Sequence, residues 1–162
     1  MLEIRRVSVD DTDALLQVLG DPEVAHWLRP AGTSGAFTRA ECEEIIARKV
    51  AHWAAHGFGM SLGFSDGRCV GRATTGYNLV HGHAELEIGW AVARDMWGCG
   101  IATALGRHAL RTGSEAGFQR IVAFTRVDNV GSRRVMEKLG LRYERDFIHS
   151  GHPHVLYVTG GV

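Results

Sequence analysis

The chain has 162 residues, 45% of them hydrophobic and 22% charged, with 18 Lys+Arg against 18 Asp+Glu. That length suits one domain with a sizeable core, and the balanced charge argues against wholesale binding to nucleic acid or a membrane surface. No apolar run approaches the roughly 20 residues of a membrane helix, no signal-peptide core opens the chain, and Cys42, Cys69 and Cys99 are too scattered for a disulfide framework. The expectation is a single cytoplasmic domain over residues 1–162.

A first strand is expected over 2–7. Ser8 and Asp11 have capping-box spacing, which starts a helix near Val9 and carries it to about Leu19. Asp21-Pro22 starts a second short helix with Val24, Trp27 and Leu28, because Asp caps and Pro suits the first helical position. A loop follows over 30–36. Thr38 and Glu41 repeat the capping-box pattern, and Cys42, Ile45, Ile46, Val50, Trp53 and Ala54 form an apolar stripe at helical spacing that Gly57 ends.

Residues 58–64 and 68–77 then read as strands joined by the tight turn Ser65-Asp66-Gly67. A second turn over 78–83 leads into a strand over 84–92. Gly89 inside that strand suggests a bulge. Trp97-Gly98-Cys99-Gly100-Ile101-Ala102-Thr103 is a glycine turn running into a helix, with Ile101, Leu105, Ala109, Thr112 and Ala116 on one face and Gly117 as its stop. Strand 118–125, helix 129–139 and strand 141–148 follow. Pro153 interrupts, and 155–159 forms the last strand. Hairpins followed by strand–helix–strand–helix–strand imply an α/β fold, a mixed and mostly antiparallel sheet of about seven strands with helices on both faces. Strands 84–92 and 118–125 should be parallel, with a right-handed crossover.

The glycine turn carries chemistry. Backbone N–H groups at a helix start lack partners within the helix, the dipole is positive there, and glycine lets an anion approach closely. The stretch is suited to a phosphate. The histidines suggest a metal less well. His52 and His56 are one turn apart and His149, His152 and His154 cluster, but no Cys pair or metalloprotease frame accompanies them. They read as surface polar residues, and no metal is expected.

In this order the chain resembles the GNAT superfamily of acyl-CoA-dependent N-acetyltransferases, and within it the branch of the ribosomal-protein N-terminal acetyltransferases RimJ and RimL. The resemblance rests on Asp21-Pro22-Glu23-Val24, His56-Gly57-Phe58-Gly59, Glu87-Ile88-Gly89-Trp90 leading to the glycine turn, and Asn129-Val130-Gly131-Ser132 followed by Glu137-Lys138-Leu139-Gly140. It implies acetyl-CoA as co-substrate. The superfamily's acyl-CoA loop, Gln/Arg-x-x-Gly-x-Gly/Ala, falls on Trp97, Gly100 and Ala102. The pyrophosphate would then lie on the N–H groups of Gly98, Cys99, Gly100, Ile101, Ala102 and Thr103. The pantetheine arm would run along Trp90, Ala91 and Val92, and Asn129 would hydrogen-bond it.

The implied reaction is attack of a neutral amine on the thioester carbonyl. Glu87 aligns with a position where some members keep a carboxylate base, and its neighbour Glu85 shares a face with it. Met136 stands where many members have a Tyr, so Ser132 is the candidate partner of the leaving thiolate. The acceptor is expected to be an amine, a protein N-terminus or a small molecule such as an antibiotic or polyamine, met by the 30–36 loop, the 78–83 turn and the C-terminal hairpin. A homodimer is compatible with the resemblance. A catalytically silent acyl-CoA sensor is the competing reading, and an unrelated nucleotide-binding domain would require a loop Lys that this turn lacks.

Overall fold

The computed structural model describes residues 1–160. Seven strands form one sheet: β1 (Glu3–Arg6), β2 (Ser61–Ser65), β3 (Arg68–Val80), β4 (His83–Val92), β5 (Val122–Arg126), β6 (Arg142–His149) and β7 (His152–Val158), in the order β1-β2-β3-β4-β5-β7-β6. Five α-helices accompany it: α1 (Thr12–Leu19), α2 (Pro22–His26), α3 (Arg39–His56), α4 (Ile101–Glu115) and α5 (Val130–Lys138). All neighbouring strands are antiparallel except β4 and β5.

One core lies where Leu105, Ala109 and Met136 of α4 and α5 meet Ile88, Val92 and Ala123 of the sheet. A second lies on the opposite face, where Leu15, Val18, Cys42 and Ile46 of α1 and α3 meet Leu62, Cys69 and Ala91. Alternation along β4 sends successive side chains to these two layers.

The helix starts follow local chemistry. Thr38 and Glu41 form a complete capping box, and Asp21 accepts the N–H of Glu23 at 2.8 Å. Helix α1 begins later than expected, at Thr12. The Asp11 carboxylate is committed elsewhere: it accepts both Arg5 Nη1 and Nη2 at 2.9 and 2.8 Å and the Ser8 N–H at 2.7 Å. Several strands differ in extent from the sequence expectation. Residues 58–60 precede β2, and 118–121 precede β5. Strand β7 runs through Pro153, which pairs with Ile148 near the hairpin turn.

Two differences shape the site. The turn expected over 78–83 contracts to His81-Gly82, with φ of 50° and 75°, so β3 and β4 pair continuously from Gly71↔Val92 to Val80↔His83. The bulge expected at Gly89 is absent, since Gly89 pairs in register with Thr74. The glycine serves close packing instead: a Cβ there would stand 2.9 Å from Thr74 Oγ1.

Candidate active site

Strands β4 and β5 register only at Glu87↔Val122. Beyond that point they part, and a cleft of about 860 Å³ opens between them. Ile88 to Val92 line one wall and Phe124 to Arg126 the other. The glycine turn, the first turn of α4, and α5 from Val130 onward close one end.

Register decides which backbone groups face this cleft. Ala93 N–H donates to Val70 O at 2.8 Å, which makes that pair a hydrogen-bonded one. Hydrogen-bonded and non-hydrogen-bonded pairs alternate in an antiparallel ladder. Ala91 therefore turns its N–H and C=O to Arg72 of β3, whereas those of Trp90 and Val92 point away from β3 toward the cleft. Ala91 lines the cleft without offering it backbone donors. The Trp90 side chain packs into the core beside α4.

A single 3-10 turn, Arg94–Met96, carries the chain from β4 to the glycine turn, and Arg68 holds it through Asp95 at 2.9 Å. Trp97 then folds back, its Nε1 donating to Val92 O at 2.9 Å. Gly98 and Gly100 have φ of 77° and 79°, a region that favours glycine. Gly100 is the N-cap of α4 and offers no side chain to its donors. The first helical bond is Ala104 N–H to Gly100 O, so the N–H groups from Gly98 to Thr103 have no backbone acceptor among the described residues. An unfilled row of donors at a positive helix end fits a pyrophosphate.

Across the cleft, Asn129 caps α5, its Oδ1 accepting Ser132 N–H at 3.2 Å. That leaves its Nδ2 free to donate. Ser132 is half-buried in the first turn of α5 and lines the cleft. Met136, also in the lining, is 1% exposed and has no proton to give. Cys99, within the turn, is exposed.

Glu87 faces the cleft from β4 on the α1–α3 side. Asn78 of β3 donates to its Oε2 at 2.7 Å across the diagonal of the ladder. Burial raises the carboxyl above the usual range, and Asn78, Lys49 and Arg72 only partly offset it. Glu85, on the same face, is tied to Arg120, which also holds Glu144.

Lys49, Arg72 and Asn78 were not singled out from sequence. One signal was present: Lys49 sits on the apolar stripe of α3, three residues after Ile46 and four before Trp53. A cation on a core-facing stripe marks a polar cavity beneath it.

Of the three segments expected to meet the acceptor, the C-terminal hairpin lines the cleft through His149, Ser150, His152 and His154. The loop over 30–36 lines an adjoining cavity of about 260 Å³ and reaches the hairpin, with Ala31 N–H donating to Ser150 O at 2.8 Å. The turn at His81 lies instead against Phe147 and Arg145. Of the histidines expected at the surface, His56 is exposed, His52, His149 and His152 are half-buried, and only His154 is buried. His154 is 7% exposed, and His149 and His154 stack with Phe124 and Phe147, where burial lowers both pKa values. His52 is wedged between Phe58 and Tyr77, its Nδ1 donating to Phe58 O at 2.9 Å.

Residues 1–142 match the family model for the acetyltransferase (GNAT) domain. The chain belongs to the GNAT acetyltransferase family. It is 29% identical over 106 residues to the uncharacterized protein YkkB of Bacillus subtilis, a match spanning 62% of each chain. It is 23% identical over 145 residues to the uncharacterized N-acetyltransferase p20 of Bacillus licheniformis, covering 88% of this chain and 80% of that one. Its fold matches RimL, a ribosomal-protein α-N acetyltransferase solved in complex with coenzyme A. The TM-score is 0.77 at 20% identity, covering 97% of this chain and 92% of that one. Among the described residues, no helix is long and apolar enough to cross a membrane.

Proposed function

We propose that this GNAT domain transfers an acetyl group from acetyl-CoA to a primary amine, an N-terminal α-amine in preference to a lysine side chain, within a ternary complex. The observation that carries the reading is the junction of three features in one cleft: the unfilled N–H row from Gly98 to Thr103, the outward backbone of Trp90 and Val92, and the carboxylate of Glu87. The N–H row takes the pyrophosphate, and the Trp90 backbone takes the pantetheine arm as an added strand would be taken, which leaves the Val92 N–H for the thioester carbonyl. Asn129 Nδ2 donates to the arm from the other wall.

The amine nitrogen attacks the thioester carbonyl. The N–C bond forms and, as the tetrahedral intermediate collapses, the C–S bond breaks. Val92 N–H points into the cleft where the oxyanion develops and donates to it. Glu87 accepts the proton that the ammonium loses, directly or through water. Burial raises its pKa above the ordinary carboxylate value, which makes it a stronger base than an exposed carboxylate. The sulfur departs toward the first turn of α5, where Ser132 Oγ donates a hydrogen bond and the helix dipole is positive, and the second proton lost by the acetylated nitrogen passes to it, so that CoA leaves as the thiol.

The preference for an α-amine follows from proton bookkeeping. At pH 7.4 roughly a quarter of α-amines, with pKa about 7.7–8.0, are already neutral, against about one in a thousand lysines at about 10.4. A single half-buried carboxylate meets the first demand more readily. The test is thiol release from acetyl-CoA against peptides with free N-termini, an N-blocked lysine peptide, polyamines and aminoglycosides. Fastest turnover of a free N-terminus supports the reading. Fastest turnover of the blocked lysine peptide contradicts the preference, and silence with acetyl-CoA still bound favours a sensor.

A further inference from the structure

Two cations stand beside Glu87 without partners. Lys49 projects from α3 and Arg72 from β3, and both line the cleft. Neither forms an ion pair or a side-chain hydrogen bond among the described residues, and Arg72 Nε is closed to solvent with no acceptor. Arg29 and Arg126 line the same cleft but are matched, by Glu41 and Asp128. Glu87 gives its Oε2 to Asn78 and stays beyond 4 Å from either cation. The wall therefore carries two positive charges against one negative. Burying an unmatched guanidinium is costly, and a site that retains one recovers the cost when an anion binds there.

We propose that the acceptor is a primary amine carrying a carboxylate close to the attacking nitrogen, the carboxylate held by Lys49 and Arg72 while the nitrogen meets Glu87. This rests on the reading of the cleft as an acetyl-transfer site and names the acceptor class for it. The guanidinium supplies a planar fork that matches a carboxylate, and the ammonium adds a point charge from the facing helix. A positively charged wall also disfavours polyamines and aminoglycosides, whose remaining ammonium groups would meet Lys49 and Arg72. Two sources present the required chemistry: the α-carboxylate of a free amino acid, and the side-chain carboxylate of an N-terminal Asp or Glu in a peptide.

The test pairs each carboxylate with its amide. Free amino acids are compared with their amino-acid amides, and Asp- and Glu-initiated peptides with Asn- and Gln-initiated ones. Both thiol release and calorimetric binding to the CoA-loaded protein are measured. We expect at least a tenfold advantage in kcat/KM for the carboxylate member of one pair, carried by KM. Lys49→Met should narrow that ratio to within about threefold and Lys49→Arg should keep it, with acetyl-CoA binding and the melting temperature reporting that both variants fold. The pair that shows the advantage identifies the source. Turnover with equal ratios overturns this inference and leaves acetyl transfer intact. Carboxylate-selective binding without turnover supports a carboxylate subsite at Lys49 and Arg72 but overturns the acceptor role together with the catalytic reading. Neither binding nor turnover overturns both.

Discussion

Asn78 and Glu87 are bound across the diagonal of the β3–β4 ladder, Nδ2 to Oε2 at 2.7 Å. This bond lowers the carboxyl's pKa while burial raises it, and burial prevails. Asn78→Ala removes the lowering contribution, so the Glu87 pKa rises further. The acidic limb of the kcat/KM profile should move to higher pH in this variant, with the plateau at high pH largely retained. A profile that does not move would mean that Glu87 is not the group whose ionisation limits the rate.

Glu87→Gln keeps the hydrogen-bonding shape and removes the proposed base. Positioned proton transfer is worth roughly 10²–10⁴-fold, so kcat should fall by about that range. The loss should be smallest for the least basic amine, because that acceptor arrives already neutral. Kinetics across amines of graded pKa measure this.

Trp97 Nε1 joins the glycine turn to the end of β4 at Val92 O. Trp97→Phe keeps the ring and deletes the donor. One hydrogen bond contributes about 0.5–1.5 kcal/mol net, so acetyl-CoA affinity should fall about two- to tenfold with little change in kcat. Titration calorimetry with coenzyme A reads this directly.

Gly100 has φ of 79° at the head of α4. Gly100→Ala places a Cβ in the left-handed region at about 1–2 kcal/mol. The melting temperature should drop by about 2–8 °C for a chain of this size. Acetyl-CoA KM should rise more than stability alone explains, since the N–H row shifts with the turn.

Acid should unfold the protein partly through Glu41 and Asp11. Arg29 beside Glu41 pulls its carboxyl down to about 2 from an ordinary 4.5, and Arg5 likewise lowers Asp11. A lowered folded-state pKa contributes stability that is complete above the unfolded value and is lost as pH falls through the folded one. For Glu41 that window runs from about 4.5 down to about 2. Glu41→Gln should flatten the melting-temperature curve within that window, as followed by circular dichroism.

Local signals made much of this fold legible. Thr38-Glu41, Asp21-Pro22 and Gly57 mark helix ends through chemistry contained in three or four residues, and each stands where expected. The glycine turn was legible for the same reason. What sequence could not place was set across strands. Asn78 reaches Glu87 only because a His adopts φ of 50° at position 81 and shortens the turn, which residue type does not announce. Gly89 carries no mark that distinguishes a bulge from close packing on Thr74. The opening of β4 from β5 depends on one register pair between segments 35 residues apart. That opening is what gathers Lys49, Arg72 and the C-terminal histidines into one cleft.

The most direct test is acetyl-CoA turnover by the wild-type protein and Glu87→Gln with one free-N-terminus peptide, followed across pH by thiol release and by mass spectrometry of the peptide. The account predicts one acetylated α-amine per thiol released, an acidic limb above the ordinary carboxylate range, and loss of that limb together with most of the rate in Glu87→Gln. Tight binding of acetyl-CoA with no acetylated amine, or equal rates for the two proteins at every pH, would contradict it.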